Sequence, residues 1–240
     1  MNKKTIDSVS IKEVGSEDVV NAVTIDCTIF GFNEGTLEVL LVQHADGISK
    51  GKWGLPGGWI KKDESIDDAA YRLLRELTGI DNIYLEQLKA FGSPERFPLS
   101  RVITIGYYAL IKKEDYRLTP GFTASAVKWY KVKEVPELIY DHADILEISL
   151  KRLKRRVRQA PVGFNLLPEK FTLLQLMHLY EEILEVEMDK PNFRRKFLRM
   201  KLLVPLDEKE TDVSHRAAQL YKFDPGIYEK LTDKGFNFEF

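Results

Sequence analysis

Apolar residues change their spacing along this chain, and the changes mark out its elements. Val23 to Phe32 and Leu37 to His44 are two apolar runs on either side of Asn33-Glu34-Gly35, which predicts two strands joined by a hairpin turn. From Glu64 to Thr78 the spacing lengthens. Ile66, Ala69, Ala70, Leu73, Leu74 and Leu77 recur three and four residues apart, the signature of a helix with one apolar face, and Gly79 follows as a C-cap. Ile83 to Phe91, Ser100 to Ile111 and Ala126 to Tyr130 give further strand patterns, and Ile139 to Arg158 predicts another helix.

Gln159-Ala160-Pro161-Val162-Gly163 then interrupts the helical spacing, with Pro168 close behind, and places a domain boundary between 1–160 and 161–240. Beyond it, Thr172 and Gln175 have the spacing of a capping box, stapled by Phe171 and Leu176, for a helix running to about Leu184. Asp189 caps the next helix, and Pro191 is tolerated in its first turn. Phe193, Phe197 and Met200 fall on one face of that helix, while Asn192, Arg195, Lys196 and Arg199 share the other. Leu202 to Leu206 and Ala218 to Phe223 read as short strands around the charged loop DEKETDVSHR, as in a β-wing. Helix, turn, basic helix and ribbon in that order predict a winged helix-turn-helix.

At 240 residues, 44% hydrophobic and 30% charged, the chain has the composition of a soluble protein with room for two domains, each able to bury a core. No run approaches the roughly 18 apolar residues of a membrane span, and MNKKTIDSVSIKEVG lacks a secretory h-region, so the expected location is the cytoplasm. The single cysteine, Cys27, lies in an apolar strand pattern and is expected to be a buried thiol. Charge is uneven. Residues 151–240 hold 18 Lys and Arg against 14 Asp and Glu, whereas residues 1–150 hold 18 against 23. A basic C-terminal half points toward nucleic acid. Arg and Asn pair with guanine and adenine edges and Lys with phosphates, so Asn192, Arg195, Lys196 and Arg199 are the candidate DNA contacts, with Arg216 and His215 beside the wing. The run Lys151 to Arg156 reads as a solvated helix face.

The segment Gly58 to Ile80, GWIKKDESIDDAAYRLLRELTGI, resembles the Nudix box, G-x5-E-x7-R-E-U-x-E-E-x-G-U, at Gly58, Glu64, Arg72, Leu74, Glu76, Gly79 and Ile80. The preceding Trp53-Gly54-Leu55-Pro56-Gly57-Gly58 is similar to the lead-in of many Nudix proteins. The resemblance implies an α/β fold, a Nudix α/β/α sandwich with a mixed sheet, in which helix carboxylates hold a Mg²⁺ that activates water. Leu73 and Leu77 stand where two of those glutamates belong. Mg²⁺ takes oxygen ligands, so Glu76 alone is a thin remnant, and the two leucines extend the apolar face instead. The expectation is a fold that binds a ligand without hydrolysing it, with no catalytic residue and no cofactor. The alternative is a Mg²⁺-dependent pyrophosphohydrolase of ADP-ribose or a related nucleotide sugar that recruits Glu64 and carboxylates from another loop. A third reading is an inactive scaffold that binds only protein.

Over nearly its whole length the chain resembles the Nudix-related transcriptional regulators, through PVGFNLLPEKFTL, MDKPNFRRKF and AQLYKF as linker, recognition helix and wing. Two branches of that family are relevant: NrtR-type repressors of NAD metabolism and AraR-type regulators of arabinose use. Leu73, Leu77 and the segment YDHADI incline the reading toward the second. The resemblance implies operator DNA and a sugar or ADP-ribose-like effector as partners, and palindromic operators imply a homodimer. It also assigns the loop from Phe91 to Arg101 to the ligand, with Arg96 and Arg101 as donors and Phe91 and His142 as further lining.

Overall fold

The computed structural model describes residues 22–121, 123–211 and 217–240. Strands β1 (Val23–Asn33) and β2 (Thr36–His44) form the predicted hairpin. Its turn places Glu34 and Gly35 at φ 47° and 79°, the positive values that a two-residue turn between twisted strands requires. Short strands β3 (Trp53–Gly54) and β4 (Gly57–Trp59) pair with β2 and β1.

Helix α1 (Ile66–Thr78) begins at the first residue of its apolar spacing, two residues after the expected start at Glu64, because Ser65 caps it, its Oγ accepting the Asp68 N–H at 3.1 Å. Gly79 closes it at φ 77°. Strands β5 (Glu86–Phe91), β6 (Ile103–Leu110) and β7 (Ala124–Lys131) complete a sheet of order β3-β2-β1-β6-β5, with β4 on β1 and β7 on β2. The sheet is mixed, since β1 and β6 run parallel and the other pairs antiparallel.

Alternation along β1 sorts its side chains between two layers. Ile25, Cys27 and Ile29 point to the α1 side and join Leu40, Ala70, Leu73 and Leu74 in one apolar core. Thr28 points the other way, where its hydroxyl meets Ser149 of helix α2 (His142–Gln159) at 3.0 Å. These are the two helical layers that the sequence predicts around one sheet.

The C-terminal part follows its capping signals. Strand β8 (Phe171–Thr172) leads into α3 (Leu173–Leu184), where Thr172 and Gln175 close a reciprocal capping box at 3.1 and 2.7 Å. Asp189 caps α4 (Lys190–Met200) by accepting the Asn192 N–H at 2.9 Å. Strands β9 (Leu203–Lys209) and β10 (Gln219–Phe223) form the wing, with β8 as a third strand. An unpredicted helix, α5 (Pro225–Thr232), is capped by Asp224, and the chain then returns so that the Phe240 N–H reaches the Arg158 carbonyl at 3.0 Å.

One apolar cluster runs from Phe30, Val39 and Leu41 through Leu153 and Val157 of α2 to Phe164, Leu176, Tyr180 and Phe197. The core of the C-terminal part is therefore continuous with the α2 layer of the sheet. No described helix is long and apolar enough to cross a membrane.

Phe197 is fully buried among Phe164, Tyr180, Phe193 and Phe240. Phe197→Ala is expected to lower the unfolding free energy by about 3–5 kcal/mol, measured by urea denaturation. A loss well below that range would show that this face of α4 is not held by the shared core.

Candidate functional site

A cavity of about 380 Å³ opens over β1, where Thr24 and Asp26 face away from α1. Its roof comes from Leu55, Gly57, Gly58 and Trp59, and its far wall from Arg96, Phe97, Tyr140 and His142. Gly57 is required by close approach, because a Cβ there would sit 2.2 Å from Asp26 Oδ1 and 2.4 Å from the Ile25 carbonyl.

At the floor lies a buried ionic network. Arg96 donates from Nε and Nη2 to the two carboxylate oxygens of Asp141 at 2.9 and 2.7 Å, and Nη2 also reaches Asp26 Oδ2 at 3.2 Å. The buried Asp26 and the half-buried Asp141 share this one guanidinium, so Arg96 pins the 93–99 loop to β1 and to the start of α2. His142 Nδ1 accepts the Leu55 N–H at 2.9 Å, which puts the proton of a neutral ring on Nε2, 3.5 Å from Asp26 Oδ1. Burial pushes the His142 pKa down, with Arg96 acting in the same direction against the opposing pull of Asp26 and Asp141.

The mouth of the cavity is aromatic. Trp59 and Phe97 meet edge to face at 6.2 Å, Phe97 and Tyr140 at 5.1 Å, and Tyr140 and His142 at 5.9 Å. Trp59 is 52% exposed, and Ile48 and Leu99 are open beside it. Flat apolar side chains around buried acids suit a ligand with a planar face and hydroxyl groups.

A second cavity, about 780 Å³, adjoins the first and shares His44, Gly57, Gly58 and Trp59 with it. It lies over the middle of α1 and is closed by the loop at Pro120, Gly121 and Thr123. Leu73 and Leu77 line it, each 7% exposed. Leu73 packs in the α1 core and lies under Gly58, and Leu77 belongs with Val42 and Ala124. Arg72 holds the acids that remain. Its Nε and Nη2 donate to Glu64 at 2.7 and 2.6 Å, Nη1 to Glu76 at 3.0 Å, and Nη2 also to the Trp59 carbonyl at 3.0 Å. The Arg72 guanidinium holds the Glu64 pKa down at about 2. A divalent cation does not fit this donor set, because two positions offer hydrocarbon and both glutamates are engaged. Among the described residues no three acidic, histidine or cysteine side chains are grouped to bind a metal ion.

Two of the four residues assigned to the ligand by sequence lie elsewhere. Phe91 ends β5 on the α2 side, buried and packed against Gly106, and lines a separate groove. Arg101 points away from the cavity, donating from Nη1 to the Ser93 carbonyl at 3.0 Å. The loop brings in Arg96 and Phe97 but turns Arg101 outward. His44, Asp26, Trp59 and Tyr140 escaped the sequence reading because they come from four separate segments. Only the segment YDHADI, which begins at Tyr140, and the lead-in Trp53 to Gly58, which ends just before Trp59, came near any of them.

On α4, Asn192, Arg195, Lys196 and Arg199 are all exposed, and Asn192 accepts a hydrogen bond from Arg195. They line one wall of a groove of about 490 Å³ whose other wall is Phe236, Asn237 and Glu239, and the Lys196 ammonium lies 4.7 Å from the centre of the Phe240 ring. The last residues of the chain thus flank the basic helix, a neighbour that no local pattern predicts. Arg216 and His215 lie outside the described residues.

Residues 20–151 match the NUDIX domain model and residues 163–223 the NrtR DNA-binding winged helix domain model. The ADPR responsive transcriptional repressor NtrR of Acinetobacter baylyi is 33% identical over 219 residues, covering 90% of this chain and 84% of the relative. The crystal structure of Shewanella oneidensis NrtR complexed with a 27mer DNA superposes with a TM-score of 0.74 at 31% identity, over 90% of this chain and 97% of that one. The NUDIX domain of the same Shewanella protein, complexed with ADP ribose, matches at 30% identity and a TM-score of 0.52, over 58% of this chain and 93% of that one.

Because burial holds the His142 pKa below 6.5, the unfolded chain takes up a proton that the folded chain refuses. Stability is therefore expected to fall as pH drops below about 6.5. His142→Asn, which keeps an acceptor for the Leu55 N–H, should remove part of that slope. Urea unfolding at about pH 7.5 and about pH 5.5 tests this, and an identical slope in the variant would contradict it.

Proposed function

The chain belongs to the Nudix-domain transcriptional regulators with an NrtR-type winged helix, and from that membership we propose that it is an ADP-ribose-responsive repressor of NAD metabolism. It reads operator DNA with α4 and its wing. The observation that carries the sensor reading is the burial of Leu73 and Leu77 where metal-binding carboxylates would stand. The fold keeps a cavity, and among the described residues no three metal-ligating side chains are grouped to activate water there. The arabinose branch is set aside, because the relatives described above are named for ADP-ribose.

A ligand shifts DNA affinity only by binding two arrangements of the protein unequally. Helix α2 offers a route for that difference. Asp141, which Arg96 grips beside the cavity, immediately precedes it, and from His142 to Arg158 the helix rises about 24 Å. The Arg158 carbonyl accepts the Phe240 N–H, and Phe240 packs on Phe193 and Phe197 behind the basic face of α4. Filling the cavity biases the position of α2, and hence the relative placement of the two α4 helices in a homodimer acting in the cytoplasm. The runner-up reading, a pyrophosphohydrolase, rests on the surviving Glu64 and Glu76.

DNA fragments from the region upstream of the gene are expected to bind the chain, with affinity that falls on adding ADP-ribose and does not respond to arabinose. Arg195→Ala or Arg199→Ala should weaken specific binding by about 1–3 kcal/mol where the side chain makes a bidentate base contact. Fluorescence anisotropy measures both, and unchanged binding in both variants would remove α4 as the reading helix. Phosphomonoester release from ADP-ribose with added Mg²⁺, abolished by Glu76→Gln, would establish the hydrolase instead.

A further inference from the structure

We propose that the two cavities hold one ligand between them, its hydroxyl-bearing end against Asp26 and its diphosphate in the second cavity, where Lys61 replaces the metal ion. The inference rests on the effector being a nucleoside diphosphate sugar.

Charge separates the two cavities. The first is lined by Asp26 and Asp46, and its one guanidinium, on Arg96, is already bound to Asp26 and Asp141. A diphosphate placed there would meet uncompensated carboxylates at short range. Sugar hydroxyls, which donate hydrogen bonds, suit the same acids. The second cavity is lined by Lys61, Arg72 and Glu76. Arg72 is committed to Glu64, Glu76 and the Trp59 carbonyl. Lys61 is tied only through its backbone, whose N–H donates to Glu64 at 2.7 Å, and its ammonium forms no ion pair among the described residues. It is exposed on a flexible stem and able to follow an incoming anion.

His44 stands where the cavities join and lines both. Its Nε2 is buried and has no hydrogen-bond partner among the described residues. An unmet buried polar atom costs free energy until something pairs with it, so a ligand crossing from one cavity to the other gains an oxygen contact there. Leu73 and Leu77 form the hydrocarbon side of the second cavity and offer no carboxylate to repel the phosphates there. A neutral sugar occupies the first cavity alone and gains nothing from Lys61.

Calorimetric titration of the full chain with ADP-ribose and with adenosine, in chelator and in Mg²⁺, tests the assignment. ADP-ribose should bind equally well with chelator or metal. Lys61→Ala should weaken ADP-ribose about tenfold, as loss of one charge-assisted hydrogen bond does, leave adenosine unchanged, and be largely rescued by Lys61→Arg. Binding that needs Mg²⁺, or a Lys61→Ala effect that is absent or equal for both ligands, would overturn the proposal. A chain that binds no ADP-ribose overturns the proposed function as well. A chain released from DNA by ADP-ribose but indifferent to Lys61→Ala overturns this inference alone.

Discussion

Arg72 is the residue on which the site depends. Its planar guanidinium ties the loop at Trp59, the turn at Glu64 and the helix at Glu76 into one rigid corner. A metal ion often fixes such a corner, whereas here a permanent side-chain cation does so. Glu64 stays ionised well into the acid range, because Arg72 keeps its pKa near 2. Within the frame of Gly58, Glu64, Arg72 and Glu76, positions 73 and 77 hold buried packing residues, Leu73 and Leu77, where the box pattern carries glutamates. The box can therefore remain recognisable after losing the donors of its usual chemistry.

Tight approaches support the same corner. The loop that closes the second cavity touches α1 at Gly121, where a Cβ would lie 1.7 Å from the Glu76 carbonyl oxygen. The first cavity needs Gly57 beside Asp26 for the same reason. These backbone contacts hold both cavities open next to a sheet whose other positions are filled with hydrocarbon. The winged part adds to this rigidity, because its aromatic core continues into Leu153 and Val157 of α2.

Elements governed by local rules were legible in the sequence. The Asn33-Glu34-Gly35 hairpin, the capping box at Thr172 and Gln175, the Asp189 cap and the apolar stripe through Phe193 and Phe197 all require only neighbours within a few residues, and each is present. The start of α1 was placed two residues early, at Glu64, although the Ser65 cap and the apolar spacing both begin the helix at Ile66. The segment ending at Phe240 was missed, since its place is set by contacts with α2 and α4 that are distant in the chain, whereas α5 carries a local start signal, the Asp224 cap ahead of Pro225, that went unread. The loop from Phe91 to Arg101 was legible as a segment, but which of its arginines faces the cavity over β1 was not, because Arg96 is chosen by Asp26 and Asp141, 70 and 45 residues away.

Trp59 has a further consequence. Of the three indoles in the chain, it alone lies at the mouth of the cavity over β1, half open to solvent and bordering both cavities. A planar guest that settles against it changes the polarity and quenching around that ring, while Trp53 and Trp129 lie away from the cavity. The chain thus carries its own optical gauge of occupancy, readable from ultraviolet emission without dye or label.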